Sequence, residues 1–260
     1  TGIGTGNPLD TAIGTLSAKV SDTGSLLIDN SDVLIELLDL ATYDGEIVIN
    51  SNTTITATSV ESTNNSGNDD NDITLTATGS SSDIGVTTIT AAGNADVILT
   101  ADDGILDTAT DGNRITADDL QLTSSSADLS ADGIEVDTDV NSITAEVKTN
   151  AGGIHIDEVD GVTLTQLTTF DGFITVNAGG TINAINVNSN HKTMVNPDSG
   201  ITLTATGTES DIVVKTLSAL NTATASNTAD ITLTSGRDVL DLDSSDTNWT
   251  QAPEQPVPHF

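Results

Sequence analysis

The chain of 260 residues contains no cysteine, only six Lys and Arg, five prolines, and an aromatic fraction of 2%. Each scarcity excludes something. Without cysteine there are no disulfides, no thiolate zinc sites and no thiol nucleophile. The 39 acidic side chains outnumber the six cations, giving 6 − 39 = −33 charges. A field of that sign repels phosphate, so no nucleic-acid partner is expected. No apolar run reaches the roughly 18 residues needed to cross a bilayer, so no membrane insertion is expected. No basic stretch followed by an apolar one stands at Thr1, which places any export signal outside this chain. Tyr43, Phe170, Phe173, Trp249 and Phe260 are the whole aromatic supply, yet 35% of residues are hydrophobic. A core made without rings of roughly 150–250 Å² each must be narrow and filled by stacking small branched side chains.

What is present is alternation. ITLTATG (73–79), GEIVIN (45–50), DVILTA (96–101), FITVNA (173–178), TINAINVN (181–188) and DITLTSG (230–236) each alternate apolar and polar residues. These runs are short, rich in Thr, Ile and Val, and bounded by Gly, Asn, Asp or Ser, which is the strand signal with turn punctuation. VLIELLDL (33–40) is the one stretch with a helical rhythm, and it falls where neighbouring segments place a strand. A chain this acidic also fits the composition of disorder, but the periodicity argues for an all-β fold.

The sequence repeats itself. DITLTATGSSSDIGVTTITA (72–91) returns as GITLTATGTESDIVVKTLSA (200–219), a shift of 200 − 72 = 128. GTLSAKV (14–20) matches NSITAEV (141–147), SLLIDNSDVLI (25–35) matches GIHIDEVDGVTL (153–164), and DGEIVIN (44–50) matches DGFITVN (171–177). Two units follow, residues 1–130 and 131–247, continuous with each other, then a Pro-rich tail or cap at 248–260. Within a unit a finer period runs near 20 residues, as from Ile28 to Ile49 (49 − 28 = 21). Short strands recurring at that interval predict a parallel β-helix, or β-solenoid, in which alternate side chains point into one shared interior. Its hand is expected to be right, as for parallel crossovers in general. Ile47, Ile49, Ile73, Leu75, Val97, Leu99, Ile174, Val176, Ile201, Leu203, Ile231 and Leu233 are the expected inward stacks.

GIGTGNPLDTAIGTLSA (2–18), followed by SLLIDNSDVLI, resembles a repeat of the filamentous-haemagglutinin-like, large repetitive bacterial adhesins. Unit two keeps GIEVDTDVNSITAEV (133–147) and lacks the Asn-Pro-Leu-Asp element. The resemblance implies a right-handed parallel β-helix that serves as the non-catalytic shaft of a secreted or cell-surface protein, with this chain a piece of something larger. It implies an extracellular or bacterial cell-surface location, end-to-end self-association or stacking on neighbouring repeats, and a cell-surface or glycan receptor. A polysaccharide-binding or polysaccharide-cleaving β-helix is the competing reading.

Candidate sites are few, and no catalytic residue or cofactor is expected. Carboxylates that hydrolyse glycosidic bonds must converge within roughly 5–10 Å, whereas adjacent residues on a strand point to opposite faces. The pairs Asp102–Asp103 and Asp118–Asp119 therefore read as turn chemistry. Hard oxygen ligands for weak Ca²⁺ sites are offered by Asp69, Asp70, Asp72, Asp102 and Asp103; a solvated acidic surface is the plainer reading of the same residues. His155 alternates outward, His191 falls in a loop and His259 in the tail, so no transition-metal site is expected. Thr74, Thr76, Thr202, Thr204, Thr232 and Thr234 face outward. Such an array can bind ice, but Thr is also the ordinary outward residue of a strand. Sequons stand at Asn52, Asn64 and Asn248. Trp249 and the prolines after it cannot extend a ladder and are expected to strap or leave the last winding.

Overall fold

The computed structural model describes residues 2–31, 33–63, 71–108, 114–125, 133–192, 200–221 and 229–242. The tail, with Trp249, His259 and Asn248, lies outside them, as do Asp69, Asp70 and Asn64. Among the described residues there is no helix; 24 strands form one sheet, and the pairings between them are all parallel. The sheet winds about nine times around a single core, a parallel β-solenoid with three strands to each winding. The segment 33–40 belongs to the strand Ile35–Asp44 and not to a helix.

Period-two alternation explains the core directly. In Ile47–Ser51, Ile73–Ala77, Val97–Ala101 and Ile174–Ala178 every second residue is buried and those between are half-buried. Pairing in register stacks like on like: Ile49 on Leu75 and Leu75 on Leu99, all with no exposed surface. Small branched chains fit because the column is one residue wide, and successive windings lie only about 4.8 Å apart. Ten of the twelve expected inward residues are buried in this way. Ile231 and Leu233 face inward too, but their strand Asp230–Ser235 pairs only with Gly200–Ala205 among the described residues, and Ile231 is 41% exposed.

The windings are unequal in length. Val187 lies over Leu167, 187 − 167 = 20 residues on, whereas Leu217 lies over Val187, 217 − 187 = 30 residues on. The extra residues sit between strands, where a stacked repeat accepts them without disturbing the ladder.

This inequality has a consequence for the 128-residue repeat. Ile73 belongs to the column Leu26–Ile47–Ile73–Val97. Its equivalent Ile201 belongs to another column, Ile35–Ile55–Ile84–Ile105–Ile134–Ile154–Ile174–Ile201. Unit two is therefore advanced by one of the three faces relative to unit one. The offset is tolerated because each face makes the same demand, a parallel ladder with an apolar residue at every second position. The outward Thr74 and Thr76 consequently lie on a different face from Thr202, Thr204, Thr232 and Thr234, so the repeat does not build one continuous threonine plane.

Where the units meet, the strands lengthen. Ile115–Ser124 runs straight across a corner, and Ile134–Ala151 crosses two. Asp118 and Asp119 lie inside the first of these and not in a turn.

Candidate functional site

Among the described residues, several buried polar side chains sit at corners of the solenoid. Thr42 and Thr169 occupy equivalent places in T-Y-D-G and T-F-D-G. Each donates its hydroxyl to the carbonyl of the following glycine, Thr42 Oγ1 to Gly45 O at 2.6 Å and Thr169 Oγ1 to Gly172 O at 2.7 Å. Ser62 and Ser189, one winding on, donate to the same two carbonyls at 3.2 and 2.8 Å. The glycine is required by close approach, since a Cβ on Gly172 would stand 2.2 Å from Gly152 O.

Aspartates tie one winding to the next. Asp72 Oδ1 accepts from Asp96 N at 2.9 Å, Asp96 Oδ1 from Asp119 N at 3.2 Å, and Asp119 Oδ1 from Ser142 Oγ at 2.6 Å. Asp83 Oδ1 accepts from Gly104 N at 2.9 Å and Asp102 Oδ2 from Ser81 N at 3.0 Å. The Asp72 and Asp102 expected to ligate calcium are thus acceptors for backbone N–H groups. They stand at opposite ends of the paired five-residue strands Ile73–Ala77 and Val97–Ala101, about 17 Å of strand apart. Asp103 holds its corner through its backbone carbonyl, which accepts from Ser124 Oγ. The structure does not bring these three together, and it does not describe Asp69 and Asp70.

Burial and neighbouring carboxylates together raise the proton affinity of Asp96 and Asp137. Burial, then the Asp72, Asp119 and Asp118 charges, push the Asp96 carboxyl above its ordinary value, against the hydrogen bond from Asp119 N. Asp137 is pushed up by burial and by Asp107 and Asp157, with Arg114 and His155 opposing. The Asp96 staircase forms one wall of a shallow groove of about 210 Å³, lined also by Ile98, Asp119, Gln121, Ser142, Thr144 and Thr165. The groove lies where a bulge after Ile143 inserts Thr165 and bends the long strands.

A second acidic corner was not visible to the sequence reading. Glu158 is 5% exposed, and its carboxylate lies with those of Asp139 and Asp160, all within 4.8 Å of one another. Arg114 reaches Asp139 at 3.8 Å. The alignment of SLLIDN with GIHIDE, which sets Asn30 against Glu158, was the available signal. Of the histidines, His155 is half-exposed and lies 3.7 Å from Asp157, as an outward residue should. His191 is not in a loop but ends the strand Val187–His191. Near the last described winding Arg237 grips Asp211 through Nε at 2.8 Å and also through Nη2, with Glu209 at 3.5 Å and Asp238 at 3.9 Å. That guanidinium holds the Asp211 carboxyl below its ordinary range.

What these groups do is fasten windings to each other. No family model matches the chain, and no curated protein or solved structure matches it either. The class defined by the fold is the parallel β-solenoid.

Proposed function

We propose that the chain is a non-catalytic structural shaft, a rod segment of a secreted or cell-surface bacterial adhesin or extracellular filament. The observation that carries this reading is the single uninterrupted core running through both units, with hydroxyls and carboxylates spent on joining windings. Such a ladder resists extension along its axis, because each winding is held by three parallel strand pairings to the next. The surplus of 33 negative charges keeps such rods apart and in solution. Strands at the two end windings have a described neighbour on one side only, which suits end-to-end association with another copy or with neighbouring repeats.

A polysaccharide-binding surface is the second reading, and the groove of Asp96, Asp119 and Gln121 favours it. Negative-stain imaging together with incubation on acidic and neutral glycans, with and without Ca²⁺, separates the two. Rods or end-to-end rods with unaltered glycans support the shaft. New reducing ends or unsaturated products, abolished by Asp96→Asn with Asp119→Asn, would replace it with the glycan-active reading.

A further inference from the structure

The two units build the same corner with different chemistry. In unit one Asn30, 4% exposed, accepts at Oδ1 from Thr11 Oγ1 and from Ile13 N, both at 3.0 Å, and donates from Nδ2 to Val33 O at 3.0 Å. In unit two the equivalent residue is Glu158 (158 − 30 = 128). Its Oε2 accepts from Thr138 Oγ1 at 2.7 Å and from Val140 N at 3.3 Å, the equivalents of Thr11 and Ile13. The two acceptor bonds are preserved, but an ionised carboxylate has no hydrogen with which to repeat the amide's third bond. Instead Glu158 Oε1 accepts from Asp160 N at 3.3 Å.

The surroundings are more acidic too. Asp139 stands where unit one has Ala12 (139 − 12 = 127). From the strand Ile134–Ala151 the charge facing Glu158 is that of Asp139, and from the turn after Glu158 it is that of Asp160. Arg114, beyond Asp139, reaches that carboxylate at 3.8 Å and is itself about one-third exposed. On the other side the strand Ile174–Ala178 sets uncharged Ala178 beside Glu158. His155 and Asp157, earlier on the strand of Glu158, pair with each other.

We propose that this corner is a proton-operated lock between two consecutive windings of unit two. With a proton on Glu158 the corner closes as the Asn30 corner does; with Glu158 ionised the strand Ile154–Glu158 is held less firmly against Ile134–Ala151. Burial raises the proton affinity of Glu158 most, the hydrogen bonds from Thr138, Asp160 N and Val140 N oppose it, and the Asp160 charge adds to it. The folded chain therefore keeps this proton at pH values where the unfolded chain has lost it. The stabilisation is complete below the ordinary glutamate value of 4.5 and disappears as the pH rises through the higher folded value. This inference concerns the stability of the solenoid and stands whatever the rod carries.

The test compares the whole chain with Glu158→Gln and Glu158→Asn by hydrogen exchange and by urea unfolding across pH 4 to 8. Amides of residues 11–30 serve as the internal reference for those of 138–158. Protection at 138–158 should fall relative to 11–30 as the pH rises, by at most about tenfold per pH unit for one proton. Both substitutions should flatten that slope. Should they prevent folding, a carbon-13 titration of the wild-type Glu158 carboxyl decides alone. A midpoint at or below 4.5, a slope that survives in Glu158→Gln, or a slope abolished by added Ca²⁺ in the wild type would overturn the proposal.

Discussion

Leu75→Ala tests the axial core most directly. Leu75 has no exposed surface and lies between Ile49 and Leu99 in the inward stack. Neighbours a fixed ladder spacing apart cannot close over the missing carbons, because the backbone hydrogen bonds set the distance between windings. The full penalty of a rigid cavity is therefore expected, about 2–5 kcal/mol. At about 1.4 kcal/mol per decade that is roughly thirty- to four-thousandfold in the folding constant. Leu233 is the comparison within the same molecule: it has the same sequence context, but among the described residues its strand is paired on one side only, and its side chain is partly exposed. Leu233→Ala should cost less than about half as much, since less apolar surface leaves water there on folding. Urea unfolding followed by circular dichroism at 218 nm (about the β-sheet minimum) measures both. Nearest-neighbour coupling in a solenoid predicts a broadened transition for Leu75→Ala as the windings on either side separate. Equal costs at the two positions, or a loss below about 1 kcal/mol for Leu75→Ala, would refute the argument that the windings share one rigid column.

Other perturbations follow from the corners. Gly172→Ala places a methyl 2.2 Å from Gly152 O and should expose the strand Ile174–Ala178 to proteolysis while leaving the windings before residue 145 protected in hydrogen exchange. Asp96→Asn retains an acceptor for Asp119 N and removes one of four crowded carboxylates. Because the folded Asp96 carboxyl titrates above its ordinary value, wild-type stability falls as pH rises through that window. The variant should therefore have the higher urea midpoint at pH 7, and equal midpoints would speak against repulsion along the staircase. Asp211 behaves oppositely: its stabilisation by Arg237 is present above the ordinary aspartate value of 3.8 and is lost as pH falls through the lowered one. Arg237→Met should raise the Asp211 titration midpoint in carbon-13 NMR and speed exchange in Asp230–Ser235 before any earlier strand. Small-angle scattering should give a rod whose axial length is about 43 Å for nine windings of about 4.8 Å.

The alternation that sets Ile47, Leu75 and Val176 inward was legible without coordinates, because a strand's side-chain period is two whatever its neighbours. The recurrence of ITLTATG in both units was legible for the same reason: both copies face the same local demand. Residues 33–40 were ambiguous, since IELL satisfies a helical stripe as well as a bulged strand, and the ladder to Leu16 and Ala18 settles it. The Ca²⁺ candidates were chosen by composition, which cannot distinguish a carboxylate accepting from a backbone N–H from one left to a cation. Asp72 and Asp102 are of the first kind. Glu158 escaped notice because alternation alone assigns it to the interior without saying which residues of another winding complete its corner.

The sequence by itself determined that this chain is all-β, that it consists of two related units, and that small aliphatic residues form its interior. Those properties depend only on residues near one another in the chain and on a period fixed by strand geometry. The tertiary structure alone decided that unit two is turned by one face from unit one, and that Asp139, Glu158 and Asp160 meet. Both depend on how many residues each winding takes in all, 20 and 30 in the two windings compared above, and no local pattern records that sum.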